Sequence, residues 1–192
     1  MKIIDMKNCE AISGQLTNRL LKKNNVDLDV VGKIGVLIPK AICNGRVNHE
    51  DVPEEELIKE CKPEACTKEG DIVMKLSSPY EACYITKEDE GLLVPSFCCI
   101  IRVPQEIVWY VMAFLASDNC RNQILKNCAG SIIAILKIGS IRNLEIPELS
   151  QARMEEIGSK FKKMQDMKFY MDEIYKWEQI RNSYEFTEEA GR

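Results

Sequence analysis

The chain has 192 residues, 45% hydrophobic and 29% charged, with a mean hydropathy of −0.22, which sets aside fibrous and disordered classes and leaves one core plus an accessory element. The net charge is −4 and the pI about 5.3, so no whole-chain basic signature points to nucleic acid. No apolar run reaches the roughly 18 residues of a membrane span, and the opening MKIIDMKNCEAISG lacks the apolar core of a secretory signal.

These features predict a cytoplasmic protein. Its nine cysteines, an odd number set mostly in apolar stretches such as Ser96-Phe97-Cys98-Cys99-Ile100-Ile101, read as small buried hydrophobes in a reducing compartment.

Along the chain, Met1 to Asp29 holds Leu16, Leu20 and Leu21 around a basic cluster and reads as a short helix or strand. VVGKIGVLIPK, from Val30 to Lys40, is rich in β-branched residues and broken by two glycines and a proline, which predicts strand, turn and strand end. Asn44-Gly45 follows, the strongest short turn signal in the chain. The acidic stretch Glu50 to Glu60, with Pro53 near its start, suits a short surface helix or loop.

Gly70 to Leu76 predicts a strand that ends in the turn formers Ser77-Ser78-Pro79-Tyr80, with Ala82 to Thr86 returning from it. Leu92 to Val103 predicts a central strand interrupted near Pro95. Gln105 to Ala129 carries helical spacing at Val108, Met112, Leu115, Ile124 and Leu125, with a break at Ser117-Asp118-Asn119. After Gly130-Ser131 come a short apolar element from Ile132 to Ile135, a turn at Gly139-Ser140 and a strand from Ile141 to Ile146 that Pro147 stops.

The last helix, roughly Ser150 to Ile180, differs in kind. Met154, Ile157, Phe161, Met164, Met171 and Tyr175 follow a 3/4 alternation with Lys168 as the one polar intruder, a narrow stripe of coiled-coil type. The expected fold is α/β (α+β): a twisted, mainly antiparallel sheet with covering helices, followed by a long coiled-coil-like C-terminal helix.

The order of these signals resembles a target recognition domain of the specificity subunits of type I restriction-modification systems. Gly70-Asp71-Ile72-Val73, Gly130-Ser131, Leu144-Glu145-Ile146-Pro147 and Leu149-Ser150-Gln151 carry the resemblance, which covers about Val30 to Ile180. It implies residues 1–148 as a recognition domain, 149–180 as a spacer and dimerisation helix and 181–192 as a tail. It also implies one half of a subunit that usually holds two such domains, reading double-stranded DNA without catalysis or cofactor. Such a subunit positions a partner adenine methyltransferase and, in a full complex, a restriction subunit. A homodimer through the Met154 to Tyr175 stripe would place two copies on a split palindrome.

DNA contact needs cations for phosphate and polar side chains on loops for base edges. The candidates are Asn44 and Arg46 at the Asn-Gly turn, Lys75, Ser77, Ser78 and Tyr80 in the following loop, and Lys126, Asn127, Gly130, Ser131 and Lys137 around the Gly-Ser turn. Each group also has a plain reading: a type I′ turn with a solvated Arg, a Ser-Pro turn with a surface Tyr, and a helix C-cap with basic residues suited to the dipole.

His49 with Cys43, Cys61 and Cys66 fits no common zinc spacing, so no metal is expected. The cysteines lie in apolar strands where a thiol nucleophile is disfavoured, and there is no phosphate-binding glycine loop or Gly-x-Ser-x-Gly. Between Leu28 and Ser150 there are 13 Lys and Arg against 18 Asp and Glu, a formal −5. That balance keeps a second reading open: a protein-interaction module derived from a recognition domain, without DNA readout.

Overall fold

The computed structural model describes residues 1–22, 29–128 and 135–190. Its centre is a four-stranded antiparallel sheet with strand order β1 (Glu10–Ser13), β8 (Cys98–Arg102), β6 (Ile72–Lys75) and β7 (Ala82–Tyr84). β8 is central and covered on both faces, which is why its first four residues, Cys98 to Ile101, are an unbroken apolar run rather than an alternation.

The register sorts side chains by the period of two. Ile72, Met74, Cys99, Ile101 and Ala11 face one core, shared with the helices, while Val73, Cys83, Cys98 and Ile100 face a second, closed by Leu37, Ile42 and Val94. A third cluster, around Leu20, Val36, Leu57, Ala65 and Leu93, lies under the two-stranded sheet of β2 (Gly32–Gly35) and β5 (Glu54–Leu57). β3 (Ile42–Cys43) and β4 (Arg46–Val47) form a hairpin whose Asn44 and Gly45 both have positive φ, 50° and 76°, as a type I′ turn requires.

Two expectations are corrected. The acidic stretch is not a helix: Glu54–Leu57 pairs with Gly32–Gly35, Lys33 opposite Glu56 and Ile34 opposite Glu55, so a distant partner overrides the local helix signals. Ile141 to Ile146 is not a strand: α3 (Ile138–Arg142) takes in Gly139 and Ser140 and buries Ile141 in the first core. Its basic end is fixed elsewhere, since Arg142 donates twice to the Ala11 carbonyl, at 3.1 and 2.9 Å. Only the segment beyond it is extended, held to the N-terminus by Ile3 N donating to Leu144 O and Ile146 N to Met1 O.

α1 (Val108–Leu115) and α2 (Asp118–Cys128) break where expected, with the Ser117 hydroxyl accepting from Cys120 N at 3.2 Å. α1 covers the first core, and α4 (Gln151–Ala190) lies across α1 with Met154, Ile157 and Phe161 packed on that core. Gly158 is buried at this crossing. The Tyr110 hydroxyl, donating to Pro147 O at 2.6 Å, fastens the link into α4. At about 1.5 Å per residue the 40 residues of α4 extend for roughly 60 Å, continuing past the expected end at Ile180. Among the described residues no helix is long and apolar enough to cross a membrane.

Candidate nucleic-acid interface

The β3–β4 turn places Asn44 and Arg46 against α4. Arg46 lies 2.5 Å from the Asp166 carboxylate with its guanidinium 4.4 Å over the Phe169 ring, and Asn44 donates to Asp172 at 3.4 Å. Asp166, Phe169 and Asp172 recur every three residues along α4, so one helical face receives the hairpin. Both candidates are therefore engaged by the chain itself. Lys75 is likewise engaged: its side chain is 11% exposed and its ammonium lies 2.6 Å from Glu81 across the β6–β7 connection.

Ser77, Ser78 and Tyr80 occupy that connection, Ser78 fully at the surface and Tyr80 half-buried with φ 57°. Leu136 N donates to Leu76 O at 2.7 Å, which brings the exposed Lys137 beside the strand end from which Ser77 and Ser78 emerge. Leu76 N in turn donates to the carbonyl of Phe97, a ring 59% exposed that the sequence reading passed over. This end of the sheet thus gathers two hydroxyls, a cation and an aromatic ring, the kinds of group that meet phosphate and base. Lys126 is exposed near the end of α2. Gly130, Ser131 and the side chain of Asn127 lie outside the described residues.

Next to the same loop is a cleft of about 400 Å³ between the Asn44-Gly45 turn, Pro79-Tyr80, the α1–α2 junction and α4. Two cations missed from the sequence, Arg121 and Lys168, line it, and among the described residues neither makes a salt bridge. Lys168 did leave a signal, as the polar interruption of an apolar stripe; Arg121 left none, since a cation on an amphipathic helix normally faces solvent. Glu81 is the one carboxylate residue in the lining, and Lys75 balances it. None of the acidic run from Glu50 to Glu69 reaches the cleft.

Burial makes four of the thiols poor nucleophiles. Burial, reinforced by Cys61 3.5 Å away, pushes the Cys66 thiol up to about 12, and burial alone pushes Cys120 to about 12. Burial raises the thiols of Cys83 and Cys99 still further. His49 Nε2 lies 3.0 Å from the buried Asp89, whose carboxylate also accepts from the Thr86 N–H and hydroxyl. Among the described residues no group of three or more His, Cys, Asp or Glu could hold a metal ion.

No family model and no curated protein matches the sequence. Solved structures do match. The chain superposes with a TM-score of 0.54 on the HsdS subunit from Thermoanaerobacter tengcongensis, at 16% identity over 92% of this chain and 45% of that one. The chain has the fold of one half of an HsdS specificity subunit. A chain from a type I R-M system, in a structure concerned with complex assembly and conformational transition, agrees: TM-score 0.54, 15% identity, 93% of this chain and 46% of that one. The HsdS fold thus matches the resemblance read from the sequence, and the chain spans a little under half the length of these structures. The described α+β architecture, with its antiparallel sheet and long C-terminal helix, is the one that resemblance implied.

Proposed function

We propose that the chain recognises DNA sequence as part of the specificity component of a type I restriction-modification system, without catalysis of its own. The observation that supports this reading is the likeness to HsdS along nine-tenths of the chain. In it, residues 1–148 read double-stranded DNA in the cytoplasm, through Ser77, Ser78 and Lys137 at the sheet end and Arg121 beside the cleft, where Lys168 of the following helix adds a second cation. The partner is an adenine methyltransferase subunit, joined in a full complex by a restriction subunit.

Salt dependence tests this. Arg121→Gln and Lys137→Gln should each flatten the slope of log affinity against log salt by about one unit on a duplex, because each removes one phosphate contact. Arg46→Gln should leave the slope unchanged, because that guanidinium is held by Asp166 and Phe169.

Residues 149–180 serve as spacer and dimerisation helix in this proposal, and 181–192 continue as its tail. The six-residue stripe divides, however. Met154, Ile157 and Phe161 are taken up by the chain's own core, whereas Met164, Met171 and Tyr175 are more than half exposed. Met167, Tyr170, Ile174 and Trp177 are exposed beside them, and together they form the apolar face a second copy would cover. Met171→Asp with Ile174→Asp should halve the mass in solution measured by light scattering while leaving the helical circular dichroism in place.

The second reading, a protein-interaction module, is favoured by one observation: the cations at positions 46 and 75 are neutralised internally within a stretch, Leu28 to Ser150, already of charge −5. It predicts duplex binding with no salt-dependent, residue-specific pattern.

A further inference from the structure

We propose that the cleft between the β3–β4 hairpin and α4 binds a mononucleotide unit, with the base over the apolar floor and the phosphate at Arg121 and Lys168. The inference does not rest on the DNA-reading proposal, because a free nucleotide and a nucleotide of a nucleic acid present the same chemistry.

The cavity of about 400 Å³ lies in the range of small-ligand sites, and its make-up is divided as a nucleotide is divided. Its floor is Met112, Leu115, Ile124 and Phe161, the first three buried, which suits a flat heterocycle. Tyr80, partly buried against the same core, also lines the cleft and contributes an aromatic ring, the kind of group on which a base stacks. Arg121 and Lys168 supply two positive charges without a carboxylate partner among the described residues, and Glu81, also in the lining, is already paired with Lys75.

The most specific feature is Gln165. The residue lines the cleft, and its Oε1 is buried behind that lining with no hydrogen-bond donor. The oxygen lies over Gly45, where an added Cβ would be 2.8 Å from it, so the glycine turn leaves the amide room to sit there. An acceptor buried without a partner is rare. The exocyclic amine of adenine or cytosine is a donor of the right kind, so the cleft should prefer amino-bearing bases to their oxo counterparts.

The test uses the full chain titrated with adenosine 5′-monophosphate and inosine 5′-monophosphate, with adenosine and inorganic phosphate as controls, followed by NMR or calorimetry. The adenine nucleotide should bind saturably and more tightly than the inosine nucleotide or either control. Arg121→Gln with Lys168→Gln, both exposed positions, should weaken it by about tenfold or more, and Gln165→Leu should erase the preference for adenine over hypoxanthine. A duplex with a one-nucleotide bulge then separates the sources: competition with the free nucleotide points to a nucleotide of DNA, and its absence to a free one. No saturable nucleotide binding, inorganic phosphate bound equally well, or affinity unchanged in the double variant would each overturn the proposal. Salt-dependent duplex binding that persists in that case would leave the DNA reading standing.

Discussion

Asp71→Ala lowers the free energy of unfolding by about 3–5 kcal/mol in denaturant titration, the range expected when one partner of a buried ion pair is removed. Asp71 is 3% exposed and accepts from Arg102 Nε at 2.9 Å and from a terminal guanidinium nitrogen at 3.1 Å, while its second oxygen also accepts from Lys68 N at 2.9 Å. Arg102, whose side chain is 20% exposed, also donates to Cys66 O at 3.0 Å. Truncating the carboxylate leaves a guanidinium in the domain with one backbone partner. Replacing both residues, as Asp71→Ala with Arg102→Met, should recover part of the loss, because no uncompensated charge then remains. A loss below about 1 kcal/mol for Asp71→Ala would mean that the pair behaves as a surface pair.

Gly158→Leu separates α4 from the domain. A Cβ at this position would lie 2.9 Å from Tyr110 N and 3.1 Å from Trp109 Cβ, against the backbone of α1. Gly158→Ala provides the sign test. In an exposed helix interior the exchange stabilises by roughly 1 kcal/mol, whereas here it should destabilise, and leucine should cost about 1–3 kcal/mol through overpacking. Trp109 reports the change directly, because its ring lies 4.8 Å from that of Tyr84 and 5.6 Å from the Lys162 ammonium. Its near-ultraviolet circular dichroism should diminish in step with the melting temperature. If alanine stabilised the protein instead, α1 and α4 would not be in close contact at this point.

What the sequence made legible follows from range. The Asn44-Gly45 turn, the helix break at Ser117 and the start of α4 after Ser150 depend on residues within a turn of one another, and each was readable. The acidic strand Glu54–Leu57 was not, because the segments that hold it extended, Gly32–Gly35 and the bridge from Leu21 to Leu57, are some twenty or more residues away in sequence. The glycine-aspartate-isoleucine-valine signal was read for what it resembles, and the structure supplies its physical basis: Gly70 at φ 86°, Asp71 held by Arg102, and Ile72 and Val73 pointing into opposite cores.

The candidate site was less legible for a similar reason. Arg46 and Lys75 have the side chains of phosphate ligands, yet Asp166 and Glu81 take them, one across the hairpin–helix contact and one across a strand connection. Arg121 and Lys168 are brought to one cleft only by the packing of α2 and α4 around the first core. The stripe on α4 reads as one seam because periodicity records which face is apolar and not which neighbour covers it.

The central claim is that this domain reads DNA sequence, and selection from a random duplex library at low and moderate salt tests it most directly, with and without a methyltransferase subunit. The account predicts enrichment of one defined half-site, or of its split palindrome when α4 pairs two copies, with affinity that falls as salt rises. Recovery of no preferred sequence under any condition, alone or with the methyltransferase subunit, would contradict it.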